Sequence, residues 1–168
     1  MFNFVAEVRM EQAPGGLVPV NGGAPRSQIL AFQDWLLQFP QGDYPLRHFF
    51  AEDQYGREIT IPPGQLVVGK IHKHSHLNII SKGECTVVTE FGSYRIRAPH
   101  IFVSDPGTKR ALYTHSETIW TTIHTTKKMD LSEIEEEIIA PTFEAYDVFA
   151  QTLSVTTKPE LQDDAWGV

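Results

Sequence analysis

Cysteine is almost absent: Cys85 is the single one in 168 residues. That excludes an internal disulfide and any zinc site built from several thiolates. Opening an apolar strand, Cys85 reads as a packing residue and not as half of a nucleophile pair. Long apolar runs are missing too. No stretch approaches the roughly 20 residues that span a bilayer, and the opening MFNFVAEVRMEQAPGG has no basic segment leading into an apolar one. The expectation is synthesis in the cytosol, with no membrane partner. Basic residues are outnumbered, 14 Lys and Arg against 21 Asp and Glu, for a net charge of −7. General affinity for nucleic-acid phosphates needs a clustered basic surface. The local candidates, Tyr94-Arg95-Ile96-Arg97 and Lys109-Arg110, read as solvated strand edges and turns. No Gly-rich loop opens a helix to cradle phosphate, and Glu84, Glu90 and Glu117 form no paired-carboxylate signature.

What is present suffices for one domain with a core, since hydrophobic residues make up 41% of the chain. Residues 1–26 carry two Pro/Gly patches and read as a flexible arm. Ser27 is placed to cap a helix over about 28–39, whose apolar face is Leu30, Phe32, Trp35, Leu36 and Phe39. From residue 46 to 125 the pattern becomes short strands separated by Gly, Pro and Asp turns, the signature of a β-sandwich or barrel. One turn is expected near Tyr55-Gly56, and one continuous strand over Leu66–His74. After Lys128, Asp130 and Glu133 form a capping-box pattern ahead of Leu131, Ile134, Ile138 and Ile139. A second helix follows Pro141 over about 142–153, then a polar tail. The divisions are thus 1–26, an arm; 27–128, a helix plus barrel; and 129–168, the C-terminal helices and tail.

The densest chemistry lies between Pro62 and His124. His72, His74 and His76 occupy alternate positions after an apolar strand. In extended chain, residues i, i+2 and i+4 share one face, so three imidazoles would enter one space. Imidazole is the commonest protein metal ligand. Farther on, Trp120, Thr122 and His124 share a strand face, and whether that face or its opposite is interior stays open.

These residues resemble the cupin superfamily, small double-stranded β-helix barrels with two motifs. Gly64, His72, His76 and Gly83 are similar to the first motif; Pro99 and Pro106-Gly107-Thr108 are similar to the second. The resemblance covers roughly residues 57–125. It implies a mainly β fold, a single cupin-type barrel with one N-terminal helix and two C-terminal helices. The run KIHKHSHLNIISKG, with PGTKR and TIWTTIH, also resembles uncharacterised cupin-domain proteins of tailed bacteriophages and prophages. That implies a phage source, a place in the host cytoplasm or the virion, and no known reaction.

Two registers of the first motif are open. With Gly83 as anchor, the family's His, His, Glu and His metal positions fall on Lys70, His72, His76 and near Arg110. The other register pairs His72 with His74, adds His76, and completes the site with His115 or His124. The metal candidates are therefore His72, His74, His76 and His124, for one divalent transition ion such as zinc, iron, manganese or nickel. A metal-free pocket is the competing reading. There Lys70 and Arg110 grip a small anion, and Asn78, Tyr113 and Trp120 add hydrogen bonds or a ring face. A third reading is a structural or assembly protein that contacts other virion components. The resemblance also implies a homo-oligomer. Binding and enzymatic readings both stay open.

Overall fold

The computed structural model describes residues 4–6 and 22–156. Most of the arm expected over 1–26, and the tail beyond 156, lie outside the described residues. Phe4–Ala6 forms a short strand, β1, and the first helix, α1, spans Arg26–Leu36. Strands β2 to β6 are Leu46–Ala51, Gln54–Ile61, Leu66–Val68, Ile71–His72 and His76–Lys82. Strands β7 to β11 are Glu84–Thr89, Gly92–Arg97, His100–Ser104, Ala111–Thr114 and Thr118–Thr125. Helix α2, Leu131–Ile138, runs straight into strand β12, Ile139–Ala140, and α3 spans Phe143–Thr156.

Two five-stranded antiparallel sheets face each other, in the orders β1-β4-β10-β7-β8 and β2-β3-β11-β6-β9. Apart from the β2–β3 and β7–β8 hairpins, which stay within one sheet, the chain passes from sheet to sheet between β3 and β11. The fold is mainly β, one barrel of two facing sheets with a helix ahead of β2 and two helices after β11, the architecture that the resemblance implies. Period-2 alternation sends Ile59, Ile61, Ile80, Val87, Leu112 and Trp120 into the space between the sheets. Outside the first sheet, Ile29, Phe32 and Leu36 of α1 pack on Leu66, Val68, Val88 and Ala111. Helix α2 covers one barrel end, where Ile134 and Ile138 meet Tyr55.

Four local expectations are corrected. Helix α1 begins after Pro25, which places Ser27 within the first turn, and no side chain caps the helix. It ends at Leu36, because the next bonds tighten to the i−3 pattern, Gln38 N–H to Trp35 O and Phe39 N–H to Leu36 O. The hairpin joining β2 to β3 turns at Glu52-Asp53, since Ala51 pairs with Gln54 and Asp53 adopts φ 56°. Tyr55 and Gly56 lie within β3. The strand read as Leu66–His74 breaks into β4 and β5 and then bends away. Its second piece pairs with β12, Ile139 opposite His72 and Ala140 opposite Ile71. By contrast, Asp130 caps α2 as expected, accepting from the Ser132 and Glu133 N–H groups.

Candidate metal centre and cavity

The break after β5 arranges the histidines. His72 ends β5 and His76 opens β6, so a short bend returns the chain and brings the two rings within 4.2 Å, centroid to centroid. His124 arrives from β11, in phase with the inward-facing Trp120; its ring lies 4.9 Å from His72 and 4.6 Å from His76. One ring nitrogen from each of the three lies within 4.8 Å of the other two. His76 and His124 are 5% and 4% exposed.

Hydrogen bonding makes this group available to a ligand. The His76 Nδ1–H donates to the His74 carbonyl oxygen at 3.2 Å. A carbonyl only accepts, so Nδ1 holds the proton and Nε2 carries the lone pair. His76 Nε2, His72 Nδ1 and His124 Nε2 are all buried without a hydrogen-bond partner. Buried polar atoms are rarely left so, and three converging ones call for an explanation. Burial pushes the His76 pKa down to about 4 and that of His124 to about 3. It pulls His72 well below its ordinary value as well, helped by His76 and His124 beside it. At neutral pH the three rings are uncharged donors, the state that ligates a metal. The donor set fits a borderline divalent ion.

His72 also lines a cavity of about 60 Å³ in the barrel, with Arg57, Lys70, Asn78, Arg110 and Trp120 on its walls. The Trp120 Nε1–H donates to Asn78 Oδ1 at 2.9 Å, and Asn78 Nδ2 donates to Ser104 Oγ at 2.5 Å. Arg110 also donates to Ser104 Oγ. A chain of buried bonds therefore runs from Trp120 to the Arg110 guanidinium and fixes where it sits. Lys70 is held by the Glu135 carboxylate of α2.

The structure thus gathers His72, His76 and His124 on one side and Lys70, Asn78, Arg110 and Trp120 around the adjoining space. Three residues named from the sequence fall elsewhere. His74 is exposed, with its ring edge-on to Phe149 of α3 at 5.2 Å. Tyr113 follows strand phase outward with Ala111, toward the α1 side, whereas Leu112 points inward. His115 is also exposed, bonded to Thr86 Oγ1 at 2.7 Å. Two site residues were not named from the sequence. Arg57 is 6% exposed and shares an inward strand face with Tyr55, Ile59 and Ile61. An Arg in phase with apolar residues was the signal for it. Ser104, at a strand end, carried no such signal.

No family model matches this sequence, and no curated protein is significantly similar to it. Among solved structures, the chain is similar to ectoine synthase from P. lautus, at 13% identity and TM-score 0.48, over 59% of this chain and 75% of that one. It is similar to a cupin-2 domain containing protein from Shewanella frigidimarina NCIMB 400, at 14% identity and TM-score 0.42, over 56% of this chain and 92% of that one. An RmlC-like cupin from the same organism aligns at 15% identity and TM-score 0.41, over 49% of this chain and 77% of that one.

Proposed function

We propose that the barrel holds one divalent transition metal ion, zinc, iron, manganese or nickel, on His72, His76 and His124, and presents it to a small-molecule ligand in the adjoining cavity. The observation that carries this reading is the convergence of three buried ring nitrogens without hydrogen-bond partners. A bound ion of this kind acts as a Lewis acid toward an oxygen donor. The protein supplies the rest. The His74 carbonyl fixes the His76 tautomer. Pairing of Ile139 with His72 and the Lys70–Glu135 ion pair tie α2 and β12 down over this end of the barrel, which limits water. Native mass spectrometry of protein purified without chelator tests the reading. One divalent ion per chain, lost in His76→Ala, is the expected result. Chains that stay metal-free after incubation with each of the four ions would overturn it.

A second reading concerns self-association, and the outer face of the second sheet supports it. Register places Phe49, Gly56, Ile123, Leu77 and Val103 in one row across all five strands. Ile101 and Val103 are 64% and 63% exposed. The charges on this face are paired within it, Arg47 with Glu58 at 2.5 Å and Lys82 with Glu117 at 2.7 Å. Such a face can meet its own copy without like-charge repulsion, as a two-fold contact requires. The occupant proposed is a second copy of this chain. The likeness of KIHKHSHLNIISKG to phage and prophage cupin-domain proteins supports a phage source, acting in the host cytoplasm or the virion.

A further inference from the structure

The barrel is open along one side. β8 ends one sheet and β9 ends the other, and among the described residues no strand bridges them. Between these two edges the facing sheets leave a cleft of about 300 Å³, whose walls include none of His72, His76 and His124. One wall is β8. Strand phase puts Tyr94 on the inward face, opposite Val87 and two residues before Ile96, both buried in the core. A ring in that phase is buried in a closed sandwich, yet Tyr94 is 53% exposed. Gly92 lets it lie back along the strand, since a Cβ there would come within 2.6 Å of Tyr94 Oη. The other wall is β9. His100 and Phe102 pair with the buried Ile80 and Asn78, so they too face inward, their ring centroids 5.6 Å apart. Phe102 also packs edge-on against Trp120 at 5.8 Å, which fixes its ring. Ser104, Asp105, Thr108 and Arg110 add a polar lining. The Asp105 carboxylate acts on the Arg110 guanidinium, so the two charges offset each other.

We infer that this cleft is a binding site for a neutral, planar aromatic molecule carrying one polar substituent, in the simplest case a phenol. Rings stand on both walls, Tyr94 from one sheet and His100 and Phe102 from the other. A flat aromatic guest therefore meets ring surface on each side, and offset or edge-to-face contacts add to the area it buries. The volume lies at the lower limit of small-ligand pockets, which suits one or two fused rings. The polar lining offers N–H donors from Arg110, hydroxyls from Ser104 and Thr108, and the Asp105 carboxylate as an acceptor. Because Asp105 offsets Arg110, a charged guest would give up hydration without a surplus counter-charge to replace it. The site uses none of the three converging histidines and stands independently of the metal reading.

Isothermal titration of the full chain with 2-naphthol, its saturated counterpart decahydro-2-naphthol, and 2-naphthoate tests this. The expected result is a single 2-naphthol site per chain, with the other two compounds at least about fivefold weaker. Tyr94→Ala should weaken 2-naphthol by about five- to tenfold, and Tyr94→Phe, which keeps the ring, by less than about twofold. Tyr94 is half-exposed, so both variants should melt like the wild type, and lost binding is then not lost fold. Phe102→Leu keeps apolar volume beside Trp120 but removes the ring, and should weaken 2-naphthol by about the same factor as Tyr94→Ala. Chelated and metal-loaded protein should bind 2-naphthol alike. Equal affinity for the saturated alcohol or for 2-naphthoate overturns the inference. So does silence up to the solubility limit of 2-naphthol, or binding that survives both Tyr94→Ala and Phe102→Leu. An affinity that depends on metal moves the guest to the barrel cavity and overturns it too. An oligomer that Tyr94→Ala dissociates would give the cleft to a second copy of the chain, against this inference.

Discussion

The His76 Nδ1–H donates to the His74 carbonyl oxygen at 3.2 Å, so the main chain of one histidine orients the ring of the other. The His74 side chain takes no part and lies exposed against Phe149. The two residues should therefore respond in opposite ways. His76→Ala removes a converging nitrogen, and metal affinity should fall by at least about a hundredfold, as loss of one of three protein ligands implies. His74→Ala keeps the carbonyl and should change affinity by less than about threefold. Metal titration against a colorimetric chelator measures both. Equal losses would mean that His74 ligates.

Acid should unfold the metal-free protein earlier than its carboxylates require. His72, His76 and His124 have folded pKa values below the ordinary 6.5, mainly through burial, with His76 at about 4 and His124 at about 3. Between those values and 6.5 the unfolded chain binds more protons than the folded one, so stability rises with pH there. The contribution is fully present above pH 6.5 and is lost as pH falls toward 4 and then 3. For His76 alone the full loss is on the order of 3 kcal/mol. Carboxylates such as Glu135, whose pKa is held below 4.5 by Lys70, act only in the lower part of this window. Urea unfolding of chelated protein at stepped pH should show the decline starting near pH 6.5, and His124→Gln should flatten it. A flat profile down to pH 5 would contradict the burial of these rings.

The buried chain through Asn78 predicts a stability effect coupled to Arg110. Asn78→Leu leaves Trp120 Nε1 without its acceptor and removes one donor from Ser104. Each unsatisfied buried group costs about 1–3 kcal/mol, so a loss of roughly 2–4 kcal/mol is expected. Asn78→Asp keeps an acceptor for Trp120 but deprives Ser104 of an N–H donor, and should cost less. Thermal melts of the two variants beside the wild type decide the order.

Much of this barrel is legible in the sequence because its turns carry Gly, Pro and Asp and its strands alternate cleanly. The phase of Thr118–Thr125 alone puts His124 on the same face as Trp120. The break between Val68 and His76 was hidden, because an unbroken run of strand-like residues gives no sign that Gly69-Lys70 and Lys73–Ser75 bend. That bend decides which histidines meet: an unbroken strand would align His74 with His72 and His76, whereas the bent chain turns it outward. Strand β12 was hidden for a related reason, since Ile139 continues the apolar face of α2 and its pairing with His72 is a long-range contact. Arg57 was visible as an Arg on an apolar strand face, but its place in the cavity wall with His72 depends on long-range packing, which no local pattern encodes.

Gly83 should resist any side chain. Its φ is +92°, and a Cβ there would lie 2.2 Å from the Glu117 carbonyl oxygen. Both the backbone conformation and the close main-chain neighbour exclude alanine without movement of the β10–β11 connection. Gly83→Ala should cost at least about 2 kcal/mol, read as a lower denaturant midpoint with unchanged slope.

The two-fold contact proposed for the apolar outer face of the second sheet predicts how such an oligomer would be taken apart. In a two-fold contact each residue meets the same patch on its mate, so one substitution places two like charges in one interface. Val103 and Leu77 are cross-strand partners on this face, and both side chains leave the barrel interior. Val103→Glu should therefore dissociate the assembly while the melting temperature of the monomer barely changes, because the residue is 63% exposed within the chain. Leu77→Lys should act alike alone. A mixture of the Val103→Glu and Leu77→Lys proteins should recover association, since opposite charges can then pair across the contact. Light scattering coupled to size exclusion measures all three. A wild-type chain that elutes as a monomer, or a Val103→Glu chain that remains associated, would assign the apolar face to a different occupant.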